Sequence, residues 1–126
     1  MLRASFGVLA LTACGIKTAP RNQFEALAPY IESKNVLVAS LSNFRDPVAT
    51  LIADHQISHI KAVCNLIGMT APAPTSTTDD PVKLLNKVIT MSDEIVQTSI
   101  DDEVRRLLLL IGASDAVHYE LLGRES

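Results

Sequence analysis

The segment from Leu107 to Leu122, LLLLIGASDAVHYELL, carries apolar residues at helical spacing. Its seam runs through Val104, Leu108, Ile111, Asp115, His118 and Leu122. The other members of that seam are aliphatic, so the pattern predicts that Asp115 and His118 face the core, where each needs a partner. Leu107, Leu110, Val117 and Leu121 make a second apolar stripe on the same helix, and one bundle cannot easily bury both. Three earlier segments have the same period. In the first, Phe24, Leu27, Ile31, Val38 and Leu41 predict a helix whose regular part runs from about 29 to 43, with Pro29 in its first turn because its ring excludes an interior hydrogen bond. The second, PVATLIADHQISHIKAVCNLIGM, has Val48, Ile52, His55, His59, Ala62 and Leu66 at seam spacing and stops near Gly68. Asp46 caps it, with Pro47 in its first position. Asp80 and Pro81 repeat that device before VKLLNKVITMSDEIVQTSI, and Asp101, Asp102 and Glu103 put negative charge where the dipole of the last helix favours it. TAPAPTSTTDD is a polar, proline-rich surface connection, and no strand alternation competes. The expectation is an all-α, up-down four-helix bundle over residues 22–126.

Composition narrows the classes of function. A chain of 126 residues that is 48% hydrophobic and 20% charged suits one domain. The formal net charge of −3, basic residues scattered apart from Arg105 and Arg106, and the few aromatic side chains argue against nucleic-acid binding. No apolar run reaches the length needed to span a bilayer.

The first residues, MLRASFGVLALTACG, place Arg3 before an apolar stretch that ends in Leu11-Thr12-Ala13-Cys14. This order resembles a bacterial lipoprotein signal, with a large aliphatic residue three before the cysteine and a small residue just before it. The resemblance implies a signal segment at 1–13, a lipidated Cys14, a tether at 14–21, and a protein exported and anchored to the cell membrane. A buried first helix is the competing reading of the same residues. Without lipidation, Cys14 could pair with Cys64, which otherwise reads as a small core residue.

LIADHQISH at 51–59 aligns without a gap on LIGASDAVH at 110–118, so Gln56 with His59 repeats as Asp115 with His118. Residues three apart on a helix lie one turn apart and can serve one partner or one metal. Here the chain resembles the ferritin-like superfamily, above all in IGASDAVHYELL, and the likeness covers about 22 to 123. That resemblance implies a two-metal site built from Glu32, Gln56 with His59, Glu94, and Asp115 with His118. Two positions depart from it. Gln56 stands in place of a bridging glutamate, and Asp115 is one methylene shorter than the residue it replaces. In addition, the seam through Ile31 and Val38 passes through Asn35 rather than Glu32.

Three readings of the cluster stay open at this level. In the first, Asp115 and a histidine satisfy each other across the core as a purely structural pair. A single zinc or iron could be held by His59, His118 and Asp115, with His55 or Glu94. A two-metal iron or manganese site would make the chain an oxidase or ferroxidase. Because Gln56 removes a bridging carboxylate, the expectation is a degenerate site with no cofactor. The chain then reads as an accessory or interaction subunit of a membrane-associated envelope complex, bound to the membrane by its lipid and to a protein partner, with the oxidase or ferroxidase as the alternative.

Overall fold

The computed structural model describes residues 21–98 and 100–125. The signal segment, Cys14 and all of the tether except Arg21 lie outside the described residues. Four helices form: α1 (Arg21–Leu41), α2 (Pro47–Ile67), α3 (Pro81–Val96) and α4 (Asp102–Glu125), with no strand among the described residues. None of these helices is long and apolar enough to cross a membrane.

Local chemistry sets most of the boundaries. The Asp46 side chain accepts from Val48 N and Pro47 fills the first turn, while Gly68 ends α2 at φ 74, a left-handed conformation that glycine adopts without strain. Asp80 with Pro81 starts α3 in the same way. Asp101 Oδ2 accepts from Glu103 N and Val104 N to cap α4.

The first helix is longer than its sequence pattern predicts, because it continues through Pro29. Proline removes one backbone donor, which frees the Glu25 carbonyl. Glu25, Ala26, Ala28 and Pro29 are all exposed, so that carbonyl can be hydrated and the helix tolerates the loss.

The order of the helices also departs from a simple up-down bundle. α1 packs on α2 and α3, and α4 packs on α3 and α2, which leaves α2 and α3 on a diagonal. Residues 68–80 run beside α1: Asn35 Nδ2 donates to Ala73 O, Asn43 Nδ2 to Thr77 O, and Ser40 Oγ to Asp79 O. The connection therefore climbs toward the C-terminal end of α1 before α3 begins. Thirteen residues reach about 40 Å when extended, whereas a helix of 21 residues is about 31 Å long. As a result α2 and α3 run in the same direction, and every adjacent pair is antiparallel.

Leu27, Tyr30, Leu37, Leu41, Ile52, Val63, Leu85, Val88 and Leu108 are fully or almost fully buried between the four helices. Cys64 lies in the same core, where burial raises its thiol. All six members of the expected α4 seam are buried. The seam of α2 differs: Ala49, Ile52, Ala53, Gln56, Ile60, Val63, Cys64 and Ile67 face inward, and of the residues read as its seam only Ile52 is among them. Leu66 is exposed and Ala62 half-buried, on the side of α2 that faces α4.

Candidate functional site: a lysine-centred polar cluster

The cluster forms where the middles of α1, α2 and α4 meet, and at its centre is Lys34, a residue the sequence pattern did not single out. Lys34 is fully buried. Its Nζ donates to Gln56 Oε1, lies 2.8 Å from Asp115 Oδ2 and lies 3.2 Å from His59 Nδ1. An ammonium has three N–H bonds, and it meets three acceptors here.

The remaining protons follow from that arrangement. Gln56 Oε1 accepts from Lys34, so its amide nitrogen points away from Lys34 and donates to Asp115 Oδ1 at 2.6 Å. The same nitrogen lies 3.2 Å from His118 Nδ1, which then accepts and leaves the proton of that ring on Nε2. His118 Nε2 faces His55 Nδ1 at 2.9 Å. The ring centroids are 5.1 Å apart, almost the full nitrogen separation plus two ring radii, so these imidazoles meet edge to edge rather than face to face. All three histidines of the chain thus gather along the α2/α4 seam. His118 is buried and His59 half-buried, whereas His55 reaches solvent; the inward placement expected for His55 does not hold.

The electrostatics follow the burial. Desolvation lowers Lys34 from its ordinary value, and Asp115 opposes that shift. Burial raises the Asp115 carboxyl, but the Lys34 ammonium at 2.8 Å and the Gln56 amide outweigh it and hold the group below the usual carboxylate range. His59 is pushed down to about 4, first by burial and then by the Lys34 ammonium, so it is a neutral acceptor at pH 7. Tyr30 lies beside Lys34, whose Nζ is 5.6 Å from the ring centroid. Burial, and then the charge of Asp115, raise its phenol, which lies near Ser92 without a well-formed hydrogen bond.

Of the residues expected at a metal centre, the fold brings together Gln56, His59, Asp115 and His118. Glu32 and Glu94 are exposed and take no part. Each sits on the outer face of its helix, because the inward face of α1 runs through Leu27, Lys34 and Leu41 and that of α3 through Leu85, Val88 and Ser92. The expected pairing of Asp115 with a histidine is also replaced. Its nearest histidine nitrogens are 3.6 Å away, beyond hydrogen-bond length, and Lys34 with Gln56 satisfies it instead. One signal pointed to Lys34: Leu27, Lys34 and Leu41 are seven residues apart.

The residues present do not fit a pair of metal ions. An ammonium already lies within bonding distance of Gln56, Asp115 and His59, and the two glutamates needed to neutralise dications point to water. Among the described residues, no group of three His, Cys, Asp or Glu side chains is placed to hold a metal. Comparison of the chain with protein-family models, with curated proteins and with solved structures gives no match.

Proposed function

We propose that this chain is a lipid-anchored envelope protein whose ferritin-like bundle has exchanged its metal centre for an internal lysine cation, and that it works as an accessory, protein-binding subunit of a membrane-associated complex. The observation that carries the reading is the position of Lys34 Nζ, on three of the acceptors that a metal would need. The single long crossover between α2 and α3 supports the ferritin-like ancestry, since such bundles are joined by one connection of this kind. With the cluster occupied by its own cation, the chemistry left to the protein is recognition. The outer stripe of α4 provides a surface for it: Leu110 is 67% exposed and Val117 57% exposed.

Two measurements test the proposal. Elemental analysis of the purified chain should find no stoichiometric iron, manganese or zinc, and a chelator should leave its thermal unfolding midpoint unchanged. Two metal ions per chain, with a chelator-dependent midpoint, would restore the oxidase or ferroxidase reading. For the anchor, mass spectrometry of protein from its native host should show residues 1–13 removed and a diacylglyceryl group on Cys14. Cys14→Ser should then shift the protein from the membrane fraction to the soluble fraction. An intact Met1 terminus, or unchanged membrane association in Cys14→Ser, would remove the lipoprotein from the proposal.

A further inference from the structure

The outer face of α4 is complementary to itself read backwards. Glu103, Arg106 and Leu107, Leu110, Ala113 and Ser114, Val117, Glu120 and Leu121, and Arg124 follow one another at steps of three and four residues, the spacing of a helix-pairing seam. If this helix is laid antiparallel on a copy of itself, with a two-fold axis beside Ala113 and Ser114, every step meets a complement. Leu110 meets Val117 and Leu107 meets Leu121, while Arg106 meets Glu120 and Glu103 meets Arg124. The residues at the axis, Ala113 and Ser114, are small, which lets two backbones approach closely.

Exposure follows the same pattern. Leu110 and Val117 are more than half exposed, and Glu103, Arg106, Glu120 and Arg124 are all exposed. Among the described residues, those four charges form one ion pair, Arg124 with Glu120 at 3.8 Å, one turn apart and open to water, a contact worth little and easily exchanged. Beside Leu107 and Leu110 a groove of about 450 Å³ opens toward α2, lined also by Ala62, Leu66, Glu103 and Arg106. In the antiparallel pairing the Val117 and Leu121 side chains of a second copy lie over this groove.

We infer that the occupant of this face is a second copy of the chain, forming a two-fold dimer through antiparallel α4 helices. The inference rests on the reading of the α4 stripe as an association surface, and it names the partner. Charge order favours this occupant. A flat apolar surface such as a bilayer has no use for opposite charges arranged in mirror order about small residues, whereas an isologous interface requires that self-complementarity.

The test is sedimentation equilibrium of the full chain in mild detergent, with variants. Wild type should be a dimer, and Leu110→Asp should be monomeric while keeping its helical circular dichroism. Glu103→Arg alone and Arg124→Glu alone should each weaken the dimer about ten-fold, since each sets like charges opposite one another at two equivalent places. The double variant should return close to wild type. Ala113→Cys, near the axis, should form an intermolecular disulfide under mild oxidation, and Ala116→Cys, on another face, should not. A wild-type monomer at all concentrations, a dimer indifferent to Leu110→Asp, or a double variant without rescue would each overturn the inference. If the monomer nonetheless crosslinks through Val117 to another envelope protein, the association reading stands without the dimer. If nothing crosslinks there, both fall.

Discussion

Lys34→Met is expected to lower the free energy of unfolding by about 3–5 kcal/mol, because it strands the Asp115 carboxylate in the core without its counter-ion. The methionine fills much of the space of the lysine stem, so lost volume is a minor part of the effect. Gln56 and His59 lose a donor as well, and their acceptor atoms remain buried or half-buried. The complementary variant, Lys34→Met with Asp115→Leu, should recover most of the loss, since a buried ion pair contributes little net stability once both charges are removed together. Urea unfolding of wild type, the two single variants and the double variant gives the coupling energy directly. A coupling below about 1 kcal/mol would show that the pair does not act as a unit, and would remove the basis for treating Lys34 as the internal cation of the cluster.

Acid should weaken the fold through His59 before it reaches Asp115. The folded state holds His59 down at about 4, below its ordinary value of 6.5, so the unfolded chain binds a proton that the folded chain refuses. Its contribution is therefore complete above pH 6.5 and is lost as pH falls from 6.5 toward 4, at up to about 1.4 kcal/mol per pH unit and about 3 kcal/mol in all. Asp115 works in a separate window. Its folded value lies below the ordinary 3.8, so its contribution persists above 3.8 and is lost only as pH falls further. Unfolding midpoints measured from pH 7.5 to 4.5 should fall for wild type, and the fall should be much shallower for His59→Gln. That variant keeps an acceptor for Lys34 and cannot titrate. Equal slopes for the two proteins would show that His59 is not the group that couples folding to pH.

The two polar residues of α4 show how much the sequence pattern conveyed. Asp115 and His118 fall on a seam of aliphatic residues, and a helix has only one way to bury that seam, so their inward placement could be read before any packing was known. Gln56 and His59 came with them through the repeat, and the fold sets Gln56 Nε2 against Asp115 Oδ1. The Asp-Pro starts of α2 and α3 and the glycine stop of α2 were equally legible, because capping uses atoms within a few residues of the boundary.

Lys34, Glu32 and Glu94 show what the pattern did not convey. A lysine in an apolar period is ordinarily a surface residue with its stem along the helix, and only the arrival of Asp115, Gln56 and His59 from two other helices makes its burial tolerable. The two glutamates matched the ligand pattern that the ferritin-like resemblance implies, but each is one position away from a residue that its own helix buries. The α2 seam shifted for a related reason: α2 has apolar residues on two sides, and periodicity alone does not say which side meets the core.

Local interactions therefore determined the existence of four helices, most of their ends and the burial of the α4 seam, since each depends on neighbours within a turn or two. Tertiary structure decided the rest. The path of residues 68–80 along α1 put α2 and α3 on a diagonal, and that order brings α1, α2 and α4 to one point. The identity of the cation there depends on residues as far apart as Lys34 and Asp115, whose separation of 81 positions no period in the chain records. Whether a buried charge stabilises or destabilises is set by the partner that packing delivers, and that partner is fixed only when the helices meet.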